Sequence, residues 1–397
     1  MFTIQTFNKL SATGLDQFPR DTYTIDTEAA APDAIVLRSY NMHEMALPAS
    51  LKAVARAGAG VNNIPIEECS KRGIVVFNTP GANANSVKEL VIAGMLLASR
   101  RIVEGITWAR SLADQDGDVG AVIEKGKKQF KGPEIMGKTL GVIGLGAIGV
   151  QVANSASALG MEVVGHDPFI SVKSAWGLSR QVKRAESLDA LIEQADYITI
   201  HAPLNDQTRD LINGAQFAMM KKGVRLLNFA RGGLVNEESL LKALDDGTVA
   251  CYVTDFVDAV LAQHEKVLPV PHLGASTPEA EDNCAVMAVR QLRDYLEHGN
   301  VENAVNFPTI HLPPHPDKYR IQIVNRNEPN MIRQLAVVFA ENHINIANLV
   351  NKGRENLAYN VIDVGTPVSE AILTQLRAIN GVIRVRSLAP LPTAAVV

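Results

Sequence analysis

Cysteine, tryptophan and any excess of charge are scarce in this sequence. The three cysteines among 397 residues, Cys69, Cys251 and Cys284, are odd in number, far apart, and form no C-x-x-C pair. That pattern argues against a disulfide framework or a zinc site and predicts buried, reduced thiols; no metal is expected. Acids and bases nearly cancel, leaving a net charge of -4, and the two signs are interspersed. Neither nucleic acid nor an anionic membrane is therefore expected as a partner. The apolar run around Gly94 to Ala98 falls well short of the ~20 residues that cross a bilayer. Met1 to Gln5 contain no basic segment followed by an apolar core, which predicts a cytoplasmic protein without a secretory leader. What the chain does have is length, enough for two or three domains with sizeable cores.

Its most informative stretch is Gly144-x-Gly146-x-x-Gly149. An apolar run from Thr139 to Ile143 reads as a buried strand, and the periodic stretch from Ile148 to Leu159 reads as the helix after it. At such a turn the first glycine permits the tight bend, the second lets a pyrophosphate approach the backbone, and the third lets helix pack on strand. The helix N-terminus then offers N–H groups to the phosphates. A second strand, Glu162 to His166, ends at Asp167, close to the ~20-residue offset of the acid that holds a ribose 2′-hydroxyl. A carboxylate there repels a 2′-phosphate, so NAD is expected rather than NADP.

Around this turn, strands alternate with helices. Asp33 to Arg38 and Gly73 to Asn78 read as strands flanking a glycine-bearing loop, Arg56 to Asn63, and Thr79 to Ser86 lead into a helix near Val87 to Ser99. Further strands are predicted at Tyr197 to Ala202, Val224 to Phe229, Ala250 to Phe256 and Val267 to Val270. Their apolar character implies a parallel sheet covered on both faces, and the fold class is α/β. Thr277-Pro278-Glu279 opens a long helix that stops at Gly299. Pro308 to Pro316 reads as a linker, and the order strand-helix-strand-strand-helix-strand from Arg320 to Arg386 predicts a small ferredoxin-like module.

Nicotinamide chemistry needs a group that exchanges a proton with the substrate oxygen, and a cation that holds the substrate. Of nine histidines, His272 is best placed, just past the last strand of the predicted sheet, at the end where ligands bind in open α/β folds. His201 also ends a strand, but its neighbours Ala202 and Pro203 suggest a wall of the cofactor site. Arg231 follows Asn228-Phe229-Ala230 and precedes two glycines; its planar fork can clamp a carboxylate. A histidine that acts as an acid needs a carboxylate to orient it, and Thr254 to Val260 lies at the right place. Taken singly, a loop histidine and a loop arginine are ordinary solvated residues; their shared position is what lends them weight. The basic run Lys125, Lys127, Lys128 and Lys131 reads as a solvated face.

With these motifs together, the chain resembles the D-isomer-specific 2-hydroxyacid dehydrogenases, of the kind that carries a C-terminal ACT domain. The resemblance rests on Arg56 to Asn63, Asn78 to Ser86, the glycine turn with Asp167, Asn228 to Gly232, Pro271 to Pro278 and the terminal module. It implies a Rossmann-type NAD-binding domain, 89–280, inserted in a flavodoxin-like substrate domain, 1–88 and 281–310, then a linker, 311–317, and an ACT domain, 318–397. The implied activity is NAD-dependent oxidation of 3-phospho-D-glycerate to 3-phosphooxypyruvate, the first step of L-serine biosynthesis, by a homodimer or homotetramer. Alternatives are a reductase for glyoxylate, hydroxypyruvate or 2-oxoglutarate, or an NAD-sensing protein without chemistry.

Residue by residue, the resemblance implies Arg231 as the substrate clamp and His272 as the acid/base. It puts Asp255 near the nicotinamide carboxamide, and Gly144, Gly146, Ala147, Ile148, Gly149, Asp167, His201, Ala202, Pro203, Ala230 and Gly274 around NAD. Gly60, Val61 and Asn62 are implied at the substrate carboxylate, and Arg38, Ser39 and Asn83 at its phosphate. The family's third catalytic member is a glutamate at the position held here by Val260; Asp258 is the nearest acid and the expected replacement. Asn325, Asn327 and Asn345 match an L-serine effector site, although the family's Pro-Gly turn reads Pro329-Asn330.

Overall fold

A computed structural model describes residues 1–113 and 117–390. The chain divides into two compact units, Met1–Ala82 with Glu281–Val397, and Asn83–Ala280.

The first unit carries a parallel sheet of β1 (Phe2–Thr6), β2 (Tyr23–Asp26), β3 (Ala34–Leu37), β4 (Ala53–Arg56) and β5 (Val75–Phe77). Its order, β2-β1-β3-β4-β5, is the flavodoxin-like one. Every residue of β3 and β5 is buried, as strands covered on both faces require, whereas β2 buries only Tyr23 and forms an edge. The opposite edge is closed by Asn306, whose side-chain oxygen accepts from Val76 N (2.9 Å) and whose nitrogen donates to Ile74 O (2.9 Å).

The second unit carries a seven-stranded parallel sheet: β6 (Thr139–Ile143), β7 (Glu162–His166), β8 (Lys183–Arg184), β9 (Tyr197–Ile200), β10 (Val224–Asn228), β11 (Val249–Thr254) and β12 (Val267–Pro269). The order β12-β11-β10-β9-β6-β7-β8 is that of a doubly wound dinucleotide-binding sheet, with one extra edge strand. Its two faces are covered by separate apolar clusters, one built around Leu226, Ile198 and Leu244, the other around Val142, Ala153 and Met95. Cys69, Cys251 and Cys284 are free and buried, and burial pushes the thiols of Cys69 and Cys251 up to about 12. Among the described residues no helix is long and apolar enough to cross a membrane.

The terminal module has the expected βαββαβ order, with β13 (Tyr319–Arg326), β14 (Ile346–Arg354), β15 (Leu357–Val364) and β16 (Val382–Leu388) in an antiparallel sheet ordered β14-β15-β13-β16. Helices Met331–Glu341 and Glu370–Ala378 supply Leu335, Phe339, Leu373 and Leu376, which pack with Ile321, Ile323, Ile362 and Val364. The alternate residues Val324, Tyr359 and Val361 join the core of the first sheet. The linker is held fast: Arg320 donates to the carbonyls of His298, Leu312 and Pro313 and pairs with Asp363 at 2.7 Å, both side chains almost fully buried. Tyr359 donates to Gly299 O (2.8 Å), Arg386 to Leu296 O (3.0 Å) and Arg384 to Leu51 O (2.6 Å). Removing one member of a buried pair strands the other charge. Asp363→Ala is therefore expected to cost about 3–5 kcal/mol, seen as a lowered urea midpoint with faster exchange of the β13 and β15 backbone amides around the pair.

Candidate active site

All strands of the second sheet run the same way, so the loops leaving their carboxyl ends share one edge. The glycine turn follows β6, Asp167 follows β7, His201 follows β9, Arg231 lies beyond β10, Asp255 follows β11 and His272 lies beyond β12. The chain crosses from one side of the sheet to the other around β6, flanked by β7 and β9, the place where open α/β sheets form a crevice.

The turn fits a dinucleotide. Gly144 has φ +90°, and a methyl group there would lie 2.8 Å from His201 O. At Gly149 a methyl group would lie 1.9 Å from Gly144 O, so a side chain would force the helix off the strand. Gly146 is different: its missing side chain would meet nothing within 4 Å. Packing does not demand glycine here, while a pyrophosphate lying against the backbone does. Gly146 begins helix Ala147–Ala158 without a side-chain cap, leaving the N–H groups of Ala147 and Ile148 for an anion. Asp167 is fixed beside the turn, its two oxygens accepting from Leu145 N and Phe169 N, each at 2.8 Å.

Arg231 owes its position to Asn228. This amide, 1 % exposed, donates to Arg231 O (2.9 Å) and accepts from Ala230 N (3.1 Å), setting the loop that presents the exposed guanidinium. A polar residue closing an apolar strand was the available signal for this role, but the sequence does not say what such a residue bonds to. His272 is exposed and sits edge-on to Phe256, ring centroids 4.9 Å apart. Asp255, Phe256, Asp258, Glu237 and His272 line one cavity of about 530 Å³. Burial raises the Asp255 carboxyl, while the charges of His272 and then Arg231 pull it back down.

The structure gives Asp258 a task other than the expected one. Its Oδ1 accepts from Val260 N and Leu261 N, both at 2.9 Å, capping helix Ala259–Gln263. The Leu261 N–H, then a hydrogen bond with Glu237, hold its carboxyl low; the same bond raises Glu237. Glu237 opens helix Glu237–Asp245. Val260 is 54 % exposed and offers no acid.

In the first unit, the Asn8 side chain, absent from the predicted set, accepts from the backbone N–H groups of Arg38, Ser39 and Tyr40 and so shapes that loop. Arg38 pairs with Glu281 at 2.6 Å. The loop bearing Gly60, Val61 and Asn62 is tied by His43 to Asn62 O (2.9 Å) and by Asn78 to Ala59 O (2.6 Å). Asn83, in the second unit, precedes helix Ala84–Arg100 and does not cap it. In the terminal module Asn330 adopts φ +69°, so the Pro-Asn turn forms with asparagine in the left-handed region. Asn325 is buried with both polar groups used: it accepts from Asn360 (2.6 Å) and donates to Arg326 O (2.6 Å). Asn327 donates to Glu355 O (3.0 Å), and Asn345 is exposed.

These features define a dinucleotide-binding α/β protein with an imidazole, a guanidinium and a buried carboxylate at the ligand edge of its sheet. Residues 92–274 match the family described as D-isomer specific 2-hydroxyacid dehydrogenase, NAD binding domain. The chain is 32% identical over 344 residues to a D-3-phosphoglycerate dehydrogenase of Haemophilus influenzae, covering 83% of this chain and 79% of that protein. It is 39% identical over 266 residues to one of Methanocaldococcus jannaschii, covering 66% of this chain and 48% of the relative. The chain thus spans about half the length of most of these curated relatives. The NAD-bound 3-phosphoglycerate dehydrogenase of Entamoeba histolytica superposes with a TM-score of 0.59 at 25% identity, over 77% of this chain and 98% of that one. The chain belongs to the D-isomer-specific 2-hydroxyacid dehydrogenase family, with NAD as its cofactor.

His201, beside the glycine turn, is enclosed. Its Nε2 lies 3.0 Å from Thr199 Oγ1, its Nδ1 is buried without a partner, and burial lowers it to about 4. The unfolded chain protonates this imidazole near pH ~6.5, so below that it binds more protons than the folded chain does. His201 therefore contributes stability that is present above pH ~6.5 and is lost as pH falls from there toward about 4. Urea midpoints measured across this window should fall less steeply for His201→Gln than for the wild-type protein; equal slopes would contradict a buried neutral imidazole.

Proposed function

We propose that this protein oxidises the 2-hydroxyl of 3-phospho-D-glycerate with NAD, giving 3-phosphooxypyruvate for serine formation. The observation that carries the reading is the placement of Arg231, Asp255 and His272 past β10, β11 and β12 of one nucleotide-binding sheet, in a chain covering 79% of a relative bearing that activity's name. NAD, bound at the glycine turn and Asp167, accepts the hydride from C2. His272 takes the hydroxyl proton, Arg231 holds the carboxylate, and Asp255 contacts the nicotinamide carboxamide. Arg38 with Ser39, and the Gly60–Asn62 backbone, recognise the phosphate and carboxylate ends. The terminal module is read as an ACT-type regulatory domain of a cytoplasmic homo-oligomer. With Asn325 committed internally, an L-serine effector would draw on Asn327 and Asn345.

One observation favours a second reading, reduction of an unphosphorylated 2-oxo acid: the guanidinium of Arg38, offered for phosphate, already holds the Glu281 carboxylate. A substrate panel followed by NADH absorbance separates the two. Under the first reading NADH forms with 3-phosphoglycerate, and His272→Gln lowers kcat by about 10²–10⁴-fold. Glu281→Gln then lowers KM for 3-phosphoglycerate about two- to fivefold, the worth of a surface ion pair, and leaves unphosphorylated substrates unchanged. Turnover of glyoxylate or hydroxypyruvate without a response to 3-phosphoglycerate would establish the second reading, and no turnover with any substrate would leave an NAD-binding protein.

A further inference from the structure

The acid that partners the catalytic histidine in this family is missing at Val260, and the nearest replacement, Asp258, spends one oxygen on two backbone N–H groups and bonds Glu237 besides. One other carboxylate, that of Asp255, lines the same cavity as the imidazole. Asp255 is 7 % exposed, and its Oδ1 is buried without a partner. Its Oδ2 lies 3.9 Å from where a side chain on Gly274, two residues past His272, would begin. Phe256, the next residue along, packs edge-on to the His272 ring. We propose that Asp255 is the positioning residue for His272, orienting the imidazole and supporting its charged form in place of the acid absent at position 260. This rests on the dehydrogenase reading and deepens it.

The charged groups around the ring come from four segments: Asp255 after β11, Arg231 after β10, Glu237 at the start of helix Glu237–Asp245, and Asp258 at the cap of helix Ala259–Gln263. Arg231 acts on the Asp255 carboxyl, which its charge lowers. Glu237 and Asp258 are bound to each other, whereas Asp255 has an oxygen to spare. During oxidation the substrate hydroxyl proton moves to His272 as hydride leaves C2, so the ring gains positive charge that a fixed carboxylate stabilises. A glycine at 274 leaves the space beside that carboxylate clear.

The test follows His272 in full-length protein labelled with ¹³C-histidine, the resonance assigned by its loss in His272→Gln, alongside pH profiles of kcat/KM with NAD and 3-phosphoglycerate. Asp255→Asn should lower the His272 titration midpoint by about one unit, the scale of a neighbouring opposite charge. The acidic limb of the rate profile should move down by as much, and kcat should fall about 10²-fold. Asp258→Asn should leave the midpoint in place. Val260→Glu, added to Asp255→Asn, should raise the midpoint and limb again without restoring KM for NAD. Should Asp255→Asn fail to fold, the reciprocal measurement decides: in His272→Gln, an exposed change, the Asp255 carboxyl should titrate higher than in wild type. An unmoved midpoint in Asp255→Asn, an unmoved Asp255 carboxyl in His272→Gln, or a shift of equal size in Asp258→Asn would overturn the proposal. Absence of NADH formation would count against the dehydrogenase reading, while the two titrations would still decide the role of Asp255.

Discussion

Parallel strands impose the constraint from which the site follows. Each crossover returns the chain to the same starting edge, so every strand of the second sheet ends on the opposite edge. Residues separated by over a hundred positions, from Gly144 to His272, are brought together by strand direction alone. The apolar residues that build β6, β9, β10 and β11 are thus the cause of the site's geometry as well as of the core. The candidate functional groups need only occupy the first few positions after each strand, where the backbone leaves the sheet.

A second constraint acts on the terminal module. Its central strands, β13 and β15, are buried on both faces, one against the module's own helices and the other against the first sheet's core. The second face carries polar groups as well, Arg320 with Asp363 and Tyr359, each aimed at backbone carbonyls of the preceding segment. Such bonds are directional, so they fix how the module sits where apolar contact alone would tolerate sliding. Deeper in the sheet, Asn351 donates to Asn360 (2.7 Å), and Asn360 donates to Asn325 (2.6 Å). That chain of amides makes Asn325 structural, and motif matching could not separate this role from ligand binding, because an amide serves either purpose.

The sequence was most legible where burial is complete. Four fully buried residues in β3 or β9 leave few options, and the strand-to-helix setting of the glycine turn, the strand that ends just before Asp167, the long helix and the module's strand order all read correctly. It was least legible where burial is partial. The segment Phe2–Thr6 mixes polar with apolar residues, and β2 buries one residue in four, so neither stood out as a strand. Helices Ile102–Ser111 and Val119–Gly126 contain no buried residue, which removes the stripe that periodicity detects. Asp258 illustrates a different limit. An aspartate just before a short apolar run is a helix cap by local rules and a catalytic acid by spacing, and only the bonds to Val260 N and Leu261 N separate the two.

The site also carries an energetic signature of its cofactor. Leaving a buried polar atom without a partner costs roughly 1–3 kcal/mol, and folded chains seldom retain such a cost without a use for it. Among the described residues, the second unit has two buried side-chain atoms of this kind, His201 Nδ1 and Asp255 Oδ1. Both belong to the first residue beyond a strand of one sheet, at the edge that also holds the open face of Gly146. Chance would scatter such atoms through the unit, while a ligand with its own donors and acceptors would gather them on one edge. A nicotinamide carboxamide supplies N–H donors and a carbonyl. Under the proposed function a bound ring would give such atoms partners, and those bonds would help to hold it beside His272 and Arg231.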